Sequence, residues 1–332
     1  MSPLVSVGIV TWNAASDIER CLGSVRRQTH AALELLVLDN ASTDGTPAIV
    51  ERLTRPDERV LHDRNLGFAA AHNLAIRRSH GEFYLSLNPD VVLSPDFVSA
   101  MVAAVEPDRQ VGSASGKLLS AVDPRIIDST GIYMVPSQRH FDRAQGEPDA
   151  GQAEQPELVF GCSGAAGFYR REMLEDAAIN GEIFDEDFFA YREDADLAWR
   201  AQILGWSCLY VPWATALHAR RVTPERRAAL PGPINRMSVR NRFYLRLKNQ
   251  TLDQAVRFAV PGLWRDFQVI GYVLLREHAS IGGLVEVVRR LPRMWRKRRA
   301  IMARRRTRSA DLSPWFHTPA RPYERLTRPV GR

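Results

Sequence analysis

The feature that most constrains the fold is an alternation of short apolar runs and amphipathic stretches over about the first hundred residues. The runs 5–10, 35–38, 60–62 and 83–87 are rich in Val, Ile and Leu and predict strands. Helical spacing follows at 17–28, after Thr46, at 68–78 and after Ser94. Strands that alternate with helices in this way predict an α/β fold, with a parallel sheet and helices on both faces.

The rest of the chain shows a weaker pattern. Strands are expected at 113–119, 131–135, 168–170 and 206–211, the last stopped by Pro212, and helices at 171–178 and 193–204. The segment 137–156 is rich in Gln, Asp, Glu, Gly and Pro and is expected to be a mobile loop. Beyond about residue 223 the chain becomes basic, with a helix expected over 235–248 and a poorly ordered tail over 307–332.

Composition excludes several classes of protein. The chain has 332 residues, 45% of them hydrophobic, which is enough for one large domain or two modest ones. Its three cysteines show no C-x-x-C spacing, so a disulfide framework or a cysteine zinc site is not expected. No segment approaches the roughly 18 apolar residues that a membrane-spanning helix needs, and no signal peptide is evident. We therefore expect a cytoplasmic protein that does not span the membrane.

The net charge of +7 is unevenly distributed. The segment Arg289–Arg308 contains about eleven Lys and Arg and no acidic residue, and the remainder has a net charge of about −4. Three interpretations are open: a solvated charged helix, an electrostatic contact with nucleic acid, or a helix lying on an anionic membrane surface. Apolar residues among the arginines favour the membrane surface, and nucleic acid is not expected; these residues are Trp264, Phe267, Ile270, Leu274, Trp295 and Ile301.

Acidic residues recur where the predicted strands end. Asp39, Asp44 and Asp90 follow strands, and Glu193 with Asp194 opens a helix. A single Asp in such a place usually caps a turn, and acids at a helix start complement the helix dipole. Several carboxylates at the carboxyl edge of one sheet repel one another, however, and a bound divalent cation relieves that repulsion. The chain has neither a G-x-G-x-x-G fingerprint nor a P-loop, so a dinucleotide enzyme or a P-loop NTPase is not expected.

Several of these segments, taken together, resemble family 2 inverting glycosyltransferases, and most closely their bacterial rhamnosyltransferase-like branch. The resemblance covers about residues 4–220. Its motifs are 5–13 (Val-Ser-Val-Gly-Ile-Val-Thr-Trp-Asn), 35–46 (ending Asp-Asn-Ala-Ser-Thr-Asp-Gly-Thr), 65–73 (Asn-Leu-Gly-Phe-Ala-Ala-Ala-His-Asn), 87–90 (Leu-Asn-Pro-Asp) and 191–200 (Tyr-Arg-Glu-Asp-Ala-Asp-Leu-Ala-Trp-Arg). The family implies a GT-A-type nucleotide-diphospho-sugar transferase fold with a mostly parallel central sheet.

The resemblance also implies a domain division. Residues 1–222 would form the catalytic domain, with a nucleotide-binding half over about 1–110 and an acceptor half over about 111–222. A basic helical extension would follow over 223–306. An acceptor that is linked to a lipid would suit an extension lying on the inner face of the cell membrane, so the protein is expected to be peripheral there.

Roles for individual residues follow from the resemblance. The nucleotide pocket would be formed by Thr11, Asn13, Asp39, Asn65, Asn73 and Asn88. Asp44 is expected only to cap its loop, and Asn73 has the alternative of bonding to backbone. Gly164, Ala165 and Ala166 would form the floor under donor sugar and acceptor.

The family's metal motif is usually Asp-x-Asp, and here the first position is Asn88, a form common in the rhamnosyltransferase-like branch. Asp90 would bind Mg²⁺ or Mn²⁺, and His218 would complete the metal site or else lie in a surface loop. Asp194 would be the general base, with Glu193 as the alternative base or an acceptor contact.

The implied activity is inverting transfer of a sugar from a dTDP- or UDP-sugar, with dTDP-L-rhamnose expected first, to a lipid-linked or cell-surface glycan. Another hexose or galactofuranose is the alternative donor sugar. Two other classes stay open at this point: a sugar nucleotidyltransferase and a non-catalytic nucleotide- or glycan-binding adaptor. A nucleotidyltransferase is expected to have a Gly-rich basic loop after its first strand, and residues 8–15 contain none.

Overall fold

The computed structural model describes residues 2–220 and 232–323 of the chain. The strands are β1 Val5–Thr11, β2 Leu33–Asp39, β3 Arg59–Leu61, β4 Phe83–Leu87, β5 Val91–Leu93, β6 Val111–Ser120, β7 Ile127–Ser129, β8 Ile132–Met134, β9 His140–Asp142, β10 Glu157–Val159, β11 Ala166–Arg170, β12 Ser207–His218 and β13 Ala320–Pro322. The helices are α1 Ile18–Arg26, α2 Thr46–Leu53, α3 Gly67–Arg78, α4 Phe97–Val105, α5 Arg171–Ala177, α6 Glu193–Ile203, α7 Gly232–Asn249, α8 Leu252–Arg257, α9 Ala259–Leu275, α10 Ile281–Ala303 and α11 Ser309–Leu312.

One large sheet organises the described residues, with the strand order β13-β10-β12-β6-β11-β4-β1-β2-β3. The four strands β3, β2, β1 and β4 are parallel, as the alternating pattern predicts, and β12 is parallel to β6. β11 lies between β4 and β6 and is antiparallel to both. The α/β fold with a mostly parallel central sheet is therefore confirmed.

Helices cover both faces of this sheet. On one face α1 and α4 bury Ile18, Leu22, Phe97 and Met101 in a core with β1 and β4. On the other face α3, α5 and α6 contribute to a second core, which includes Ile76 and Leu197. Strands β1 and β4 are buried on both sides, which explains why they are continuous apolar runs instead of alternating ones.

Strand β12 corrects the expectation that Pro212 stops the strand. The strand continues to His218, and its register against β6 jumps between Val211 and Thr215. A proline is tolerated at such an irregularity because no ladder hydrogen bond requires its missing N–H there. As a result His218 pairs with Val91 of β5, next to Asp90.

The segment 137–156 also differs from expectation. It contains β9, which pairs with β8, and buried Lys117 of β6 makes ion pairs with Asp149 and Glu154 of the same segment. A polar composition was interpreted as mobility, but here the polar residues have specific charged partners on the sheet.

The tail predicted to be poorly ordered over 307–332 is structured as far as residue 323. Leu312, Trp315 and Phe316 are buried, and the Phe316 ring packs against Trp199 with centroids 5.2 Å apart. β13 then pairs with β10 at the edge of the main sheet. Burial of three large apolar side chains, at about 1.5–3 kcal/mol each, explains why this Pro- and Arg-rich segment is ordered. Residues 324–332 and the expected domain boundary at 222/223 lie outside the described residues.

The segment from Gly232 to Ala303 contains the four α-helices α7 to α10. No helix within residues 2–220 and 232–323 is long and apolar enough to cross a bilayer.

Many basic residues of the segment 289–308 pair with acidic residues between positions 176 and 187. Lys297 lies 2.5 Å from Asp185, Arg290 lies 2.5 Å from Asp187, and Arg306 lies 2.8 Å from Asp176. The basic run 289–308 is therefore in large part an internal docking surface.

Candidate active site

A cavity of about 570 Å³ opens at the carboxyl edge of the sheet. It is lined by residues from strand ends and from the start of α6. Among the residues predicted for the site, the structure brings together here Asn88, Asp90, Gly164, Ala165, Glu193, Asp194 and His218. Ala166 lies just below, buried as the first residue of β11.

Asp90 and His218 face each other in this cavity. The Asp90 Oδ1 atom lies 3.5 Å from His218 Nε2 and has no hydrogen-bond partner within the described part of the chain. His218 Nδ1 lies 2.7 Å from an oxygen of Asp128. Burial favours the neutral imidazole, but the two carboxylates outweigh it and raise the pKa of His218 to about 9.

A network of charged side chains behind His218 was not predicted from the sequence. Arg220 donates to both oxygens of Asp128 and, at 2.7 Å, to Asp142 Oδ2. Burial raises the pKa of Asp128, but His218 and Arg220 more than offset it and lower that pKa. The two acids come from β7 and β9, in regions of weak pattern, so nothing in the sequence paired them with His218. The contact of Nδ1 with Asp128 orients the imidazole so that Nε2 points at Asp90.

The residues present fit a hard divalent cation. Within the described ranges no cluster of three or more His, Cys, Asp and Glu side chains forms a closed metal site. Asp90 nevertheless offers a buried oxygen that faces only His218 Nε2, and Asn88 lines the same cavity. His218 would add a ring nitrogen once a bound cation displaces the Nε2 proton, because a histidine ligand must be neutral. Mg²⁺ is usually bound by one or two carboxylates, with substrate phosphates supplying further oxygens, so an open donor set of this kind is suitable.

Asp194 and Glu193 open helix α6. Asp194 Oδ2 accepts a hydrogen bond of 3.1 Å from the backbone N–H of Gly164, and Oδ1 accepts one of 2.7 Å from Ala195. A Cβ on residue 164 would lie 3.3 Å from Asp194, so the tiny residue permits this close approach. Burial raises the pKa of Asp194, although these two N–H groups oppose the effect.

Glu193 is nearly inaccessible, and its Oε2 atom has no hydrogen-bond partner among the described residues. Burial, followed by the charge of Asp194, raises its pKa well above the usual range. The cavity therefore contains two neighbouring carboxyl groups that hold protons more strongly than exposed ones. A carboxylate with a raised pKa is better suited to accept a proton near neutral pH.

The backbone immediately before α6 is strained. Phe189, Tyr191 and Arg192 all have positive φ angles, of 65°, 69° and 76°. A non-glycine residue in such a conformation costs roughly 1–3 kcal/mol and persists only where its surroundings enforce it. Strain of this kind clusters at functional sites, and here it directly precedes Glu193.

The loops predicted to bind the nucleotide lie outside the lining of this cavity, at the ends of β1, β2 and β3. Asp39 is buried and accepts from the N–H and hydroxyl of Ser42, at 3.0 and 2.6 Å. Asn13 Oδ1 accepts from Thr43, and Asn65 Oδ1 accepts from the N–H of Gly67. These side chains shape their own loops. Thr11 Oγ1 is buried and has no hydrogen-bond partner in the described part of the chain.

Two polar residues near Asp39, namely Asp44 and Asn40, also have structural roles in these loops. Asp44 accepts from Thr46 and Ala15, which confirms that it caps its loop. Asn40, which sequence reasoning passed over, joins the β2 loop to the turn at Leu66 and Gly67 through both ends of its amide. Asp39 could be predicted because a charged residue directly after an apolar run is recognisable in the sequence. An amide such as Asn40 carries no charge, so its burial could not be recognised in the same way.

Asn73 has the backbone contacts of the alternative role expected for it. Its amide donates to the Phe184 carbonyl at 2.8 Å and accepts from the Phe184 N–H at 2.9 Å. It is buried in α3, so both ends of the side chain are used to hold the segment that leads toward α6. These contacts support the alternative of bonding to backbone.

Comparison with known proteins identifies the family. The sequence profile described as glycosyl transferase family 2 matches residues 6–177, more than half of the chain. The chain belongs to glycosyl transferase family 2. It is thus a glycosyltransferase, and the nucleotidyltransferase and adaptor alternatives are set aside.

Two curated relatives are similar over more than half of the chain. The N-acetylglucosaminyl-diphospho-decaprenol L-rhamnosyltransferase of Mycobacterium tuberculosis is 31% identical over 248 residues, which cover 66% of this chain and 76% of that protein. EpsH of Bacillus subtilis, named as a glycosyltransferase, is 26% identical over 201 residues, covering 58% of this chain. The match spans only 56% of the length of EpsH.

Solved structures share the fold at low identity. The mannosyltransferase PcManGT of Pyrobaculum calidifontis, solved with GDP-Man and Mn²⁺, superposes with a TM-score of 0.53 at 19% identity, over 96% of this chain and 84% of that one. TarS of S. aureus, residues 1–349 with UDP-GlcNAc, gives a TM-score of 0.54 at 16% identity, over 90% of both chains. The similarity in fold to these two solved structures agrees with the GT-A-type architecture expected for the chain.

Proposed function

We propose that the protein transfers a sugar from a nucleotide-sugar donor to a hydroxyl group of a lipid-linked or cell-surface glycan, with inversion at the anomeric carbon. The observation that carries this proposal is the position of the Asp194 carboxylate in the cavity that also contains Asp90 and His218. The mycobacterial relative is named as an L-rhamnosyltransferase, which favours dTDP-L-rhamnose as the donor to test first.

Asp194 would act as the general base. Its carboxylate removes the proton of the acceptor hydroxyl while the acceptor oxygen forms a bond to the anomeric carbon. The bond from that carbon to the diphosphate oxygen breaks, and the nucleoside diphosphate leaves with the electron pair. The Gly164 N–H holds Oδ2 in place, which is what a base that must lie within hydrogen-bond reach requires. Glu193 is the alternative base.

The leaving group carries negative charge that the site must offset. Asp90 and His218, with Asn88 beside them, would hold Mg²⁺ or Mn²⁺ when it is bound, and the cation would neutralise charge on the diphosphate. Thr11, Asn13, Asp39 and Asn65 surround the edge of β1 and β2, where the nucleotide would lie. This is the carboxyl edge at which open α/β sheets bind their ligands.

An anionic membrane surface is the partner proposed for the extension. Helix α9 presents an exposed stripe at helical spacing, here called the apolar surface: Val260, Leu263, Trp264, Phe267 and Leu274. Trp264 and Phe267 are 61% and 69% exposed. Arg289, Arg296 and Arg299 of α10 are exposed and make no ion pair within the described residues, so they complement anionic lipid.

This surface differs from the one expected from sequence. Ile301 is buried, and Arg290, Arg293 and Lys297 are paired with acids of the catalytic domain. The contact with lipid would therefore depend on α9 and on the outward arginines of α10, and not on the whole basic run.

Sedimentation with vesicles tests the membrane proposal. The protein is expected to bind phosphatidylglycerol-containing vesicles and not phosphatidylcholine vesicles. The double substitution Trp264→Ser with Phe267→Ser should weaken binding about 10- to 100-fold, because two aromatic side chains no longer enter the interface. Val122→Ser, at an exposed apolar position far from α9 in sequence, is the matched control. Unchanged binding by the double variant would contradict the proposal.

The transfer reaction is tested by incubating the protein with dTDP-L-rhamnose, with and without Mn²⁺, and a diphosphate-linked N-acetylglucosaminyl lipid. Release of dTDP together with an anomerically inverted product supports the proposal. UDP-sugars, including a hexose and galactofuranose, form the comparison set. Inverted transfer from one of these donors alone would replace rhamnose, and retention of configuration would contradict the mechanism.

A further inference from the structure

We propose that Asn241, on α7 of the extension, is a positioning residue that holds the strained backbone before α6 and thereby orients the general base. The proposal rests on the assignment of Asp194 or Glu193 as that base. It gives the extension a role in the reaction itself, in addition to contact with lipid.

The strained segment has a defined geometry. The N–H of Ala190 donates to the carbonyl of Phe188 at 2.8 Å, and Phe189 between them has φ 65° and ψ −64°. This is the classic γ-turn, a rare and strained conformation. Arg192, at the N-cap of α6, is left-handed, and its guanidinium lies 3.1 Å from His140 instead of capping the helix.

Asn241 contacts this turn from a helix that is distant in sequence. Its Nδ2 atom lies 3.0, 2.8 and 2.9 Å from the carbonyl oxygens of Phe188, Ala190 and Tyr191. The side chain is completely buried. Its Oδ1 accepts from Arg240, whose guanidinium also donates to the Phe188 carbonyl at 3.0 Å. One amide thus spans the whole strained turn, which ends immediately before Glu193.

The other side of the same turn contacts the nucleotide loop. Ala69 donates its N–H to the Phe189 carbonyl, and a Cβ on Gly67 would lie 2.5 Å from that carbonyl. The turn therefore lies between α7 and the start of α3. Loss of the Asn241 contacts would free the turn on one side only, so that nucleotide binding is retained while the direction of the first turn of α6 becomes less precise.

The test compares two buried amides of the same helix. Asn241→Leu keeps the approximate volume and removes the three contacts with the turn. Asn249→Leu is the matched control, because Asn249 is equally buried and donates to Asp196 and to the Leu245 carbonyl instead. For each variant, kcat, KM for the donor and hydrogen–deuterium exchange of residues 188–195 are measured on the full chain.

For Asn241→Leu we expect kcat to fall about 10- to 100-fold, as small misplacements of catalytic groups do, with KM for the donor within about threefold. Exchange of residues 188–195 should become faster in this variant and not in Asn249→Leu. Wild-type kcat in Asn241→Leu, or an equal loss in both variants, would overturn the proposal.

Two further measurements keep the outcome clear. If Asn241→Leu does not fold, Arg240→Met removes the second side-chain donor to Phe188 from a partly exposed position and should lower kcat about threefold, with faster exchange of the same turn. Unchanged exchange and kcat in that variant would count against the proposal. The exchange measurement needs no substrate, so a wrong donor assignment would abolish turnover in every protein tested without altering the exchange result.

Discussion

Two groups of polar side chains lie at the same edge of the sheet and do different things. The loop group, Asn13, Asp39, Asp44 and Asn65, has its oxygens bonded to N–H and hydroxyl groups of the surrounding loops. The cavity group, Asp90, Glu193, Asp194 and His218, lines the cavity, and two of its buried oxygens have no hydrogen-bond partner in the described part of the chain. Residues of the same type therefore shape a pocket in one group and face its contents in the other.

The difference follows from sequence separation. Three members of the loop group bond to residues two or three positions away, as short polar side chains in turns commonly do. In the cavity group, Asp194 meets Gly164 from 30 positions away and His218 meets Asp90 from 128 positions away, although Asp194 also accepts from the adjacent Ala195. A buried carboxylate with no local donor must be offset by a ligand or a proton, which makes the cavity group the place where chemistry is expected.

The sharpest test of the comparison is Asp194→Asn. We expect kcat to fall about 10²- to 10⁴-fold, because the amide cannot accept the acceptor's proton. Folding should be retained, since the single amide oxygen of Asn can still accept from the Gly164 N–H, and only the contact with the Ala195 N–H is lost. The rate of nucleoside diphosphate release measures the effect, and Glu193→Gln measured alongside decides which carboxylate is the base. Full activity in Asp194→Asn would assign the role to Glu193.

A second test is Asp90→Asn, which removes one charge from the predicted cation site. We expect the Mn²⁺ concentration for half-maximal activity to rise about tenfold or more, because a neutral amide is a weaker ligand for a hard cation. Titration of activity with Mn²⁺ and thermal shift with Mn²⁺ alone provide two readouts. An identical titration curve would place the cation elsewhere.

The pH dependence of the rate tests the cavity group without any substitution. Burial raises the pKa of both Asp194 and Glu193, and the base must be ionised to accept a proton. The rate should therefore be present at high pH and fall about tenfold per pH unit as the pH drops below the raised pKa of the pair. That acid limb should lie above the usual carboxyl range of about 4. A profile of kcat/KM that is flat down to pH 5 would show that neither carboxyl limits the reaction.

The smallest effect is expected in the loop group. Asp44→Asn should lower the free energy of unfolding by about 0.5–1 kcal/mol, because an exposed cap is weakened and solvent screens its charge. Its kcat should stay within about twofold of wild type. Urea denaturation and steady-state kinetics measure the two quantities. A large loss of kcat in this variant would erase the distinction between the two groups.

Much of the fold follows from the sequence because it depends on local pattern. The runs at Val5–Thr11 and Phe83–Leu87 are apolar because they are buried on both faces, and the same burial makes them recognisable. Errors arose where long-range partners override local composition. Pro212 lies inside a strand because β12 bulges against β6, and residues 137–156 are polar because they pair with Lys117 and Arg220. The tail to residue 323 is ordered because Trp315 and Phe316 reach a distant core.

The sequence by itself determined the alternating α/β architecture, the family resemblance and the identity of the acids at the sheet edge. Only the tertiary structure decided which acids share a cavity, that His218 faces Asp90, and that Asn73 holds backbone. It also decided that much of the basic run 289–308 pairs with acids between positions 176 and 187, and that Asn241 reaches the turn before α6. The physical reason is that the burial of a helix or strand determines the spacing of apolar residues within that same segment, so it can be recognised in the sequence. Contacts across 50 or more positions depend instead on how whole elements pack together.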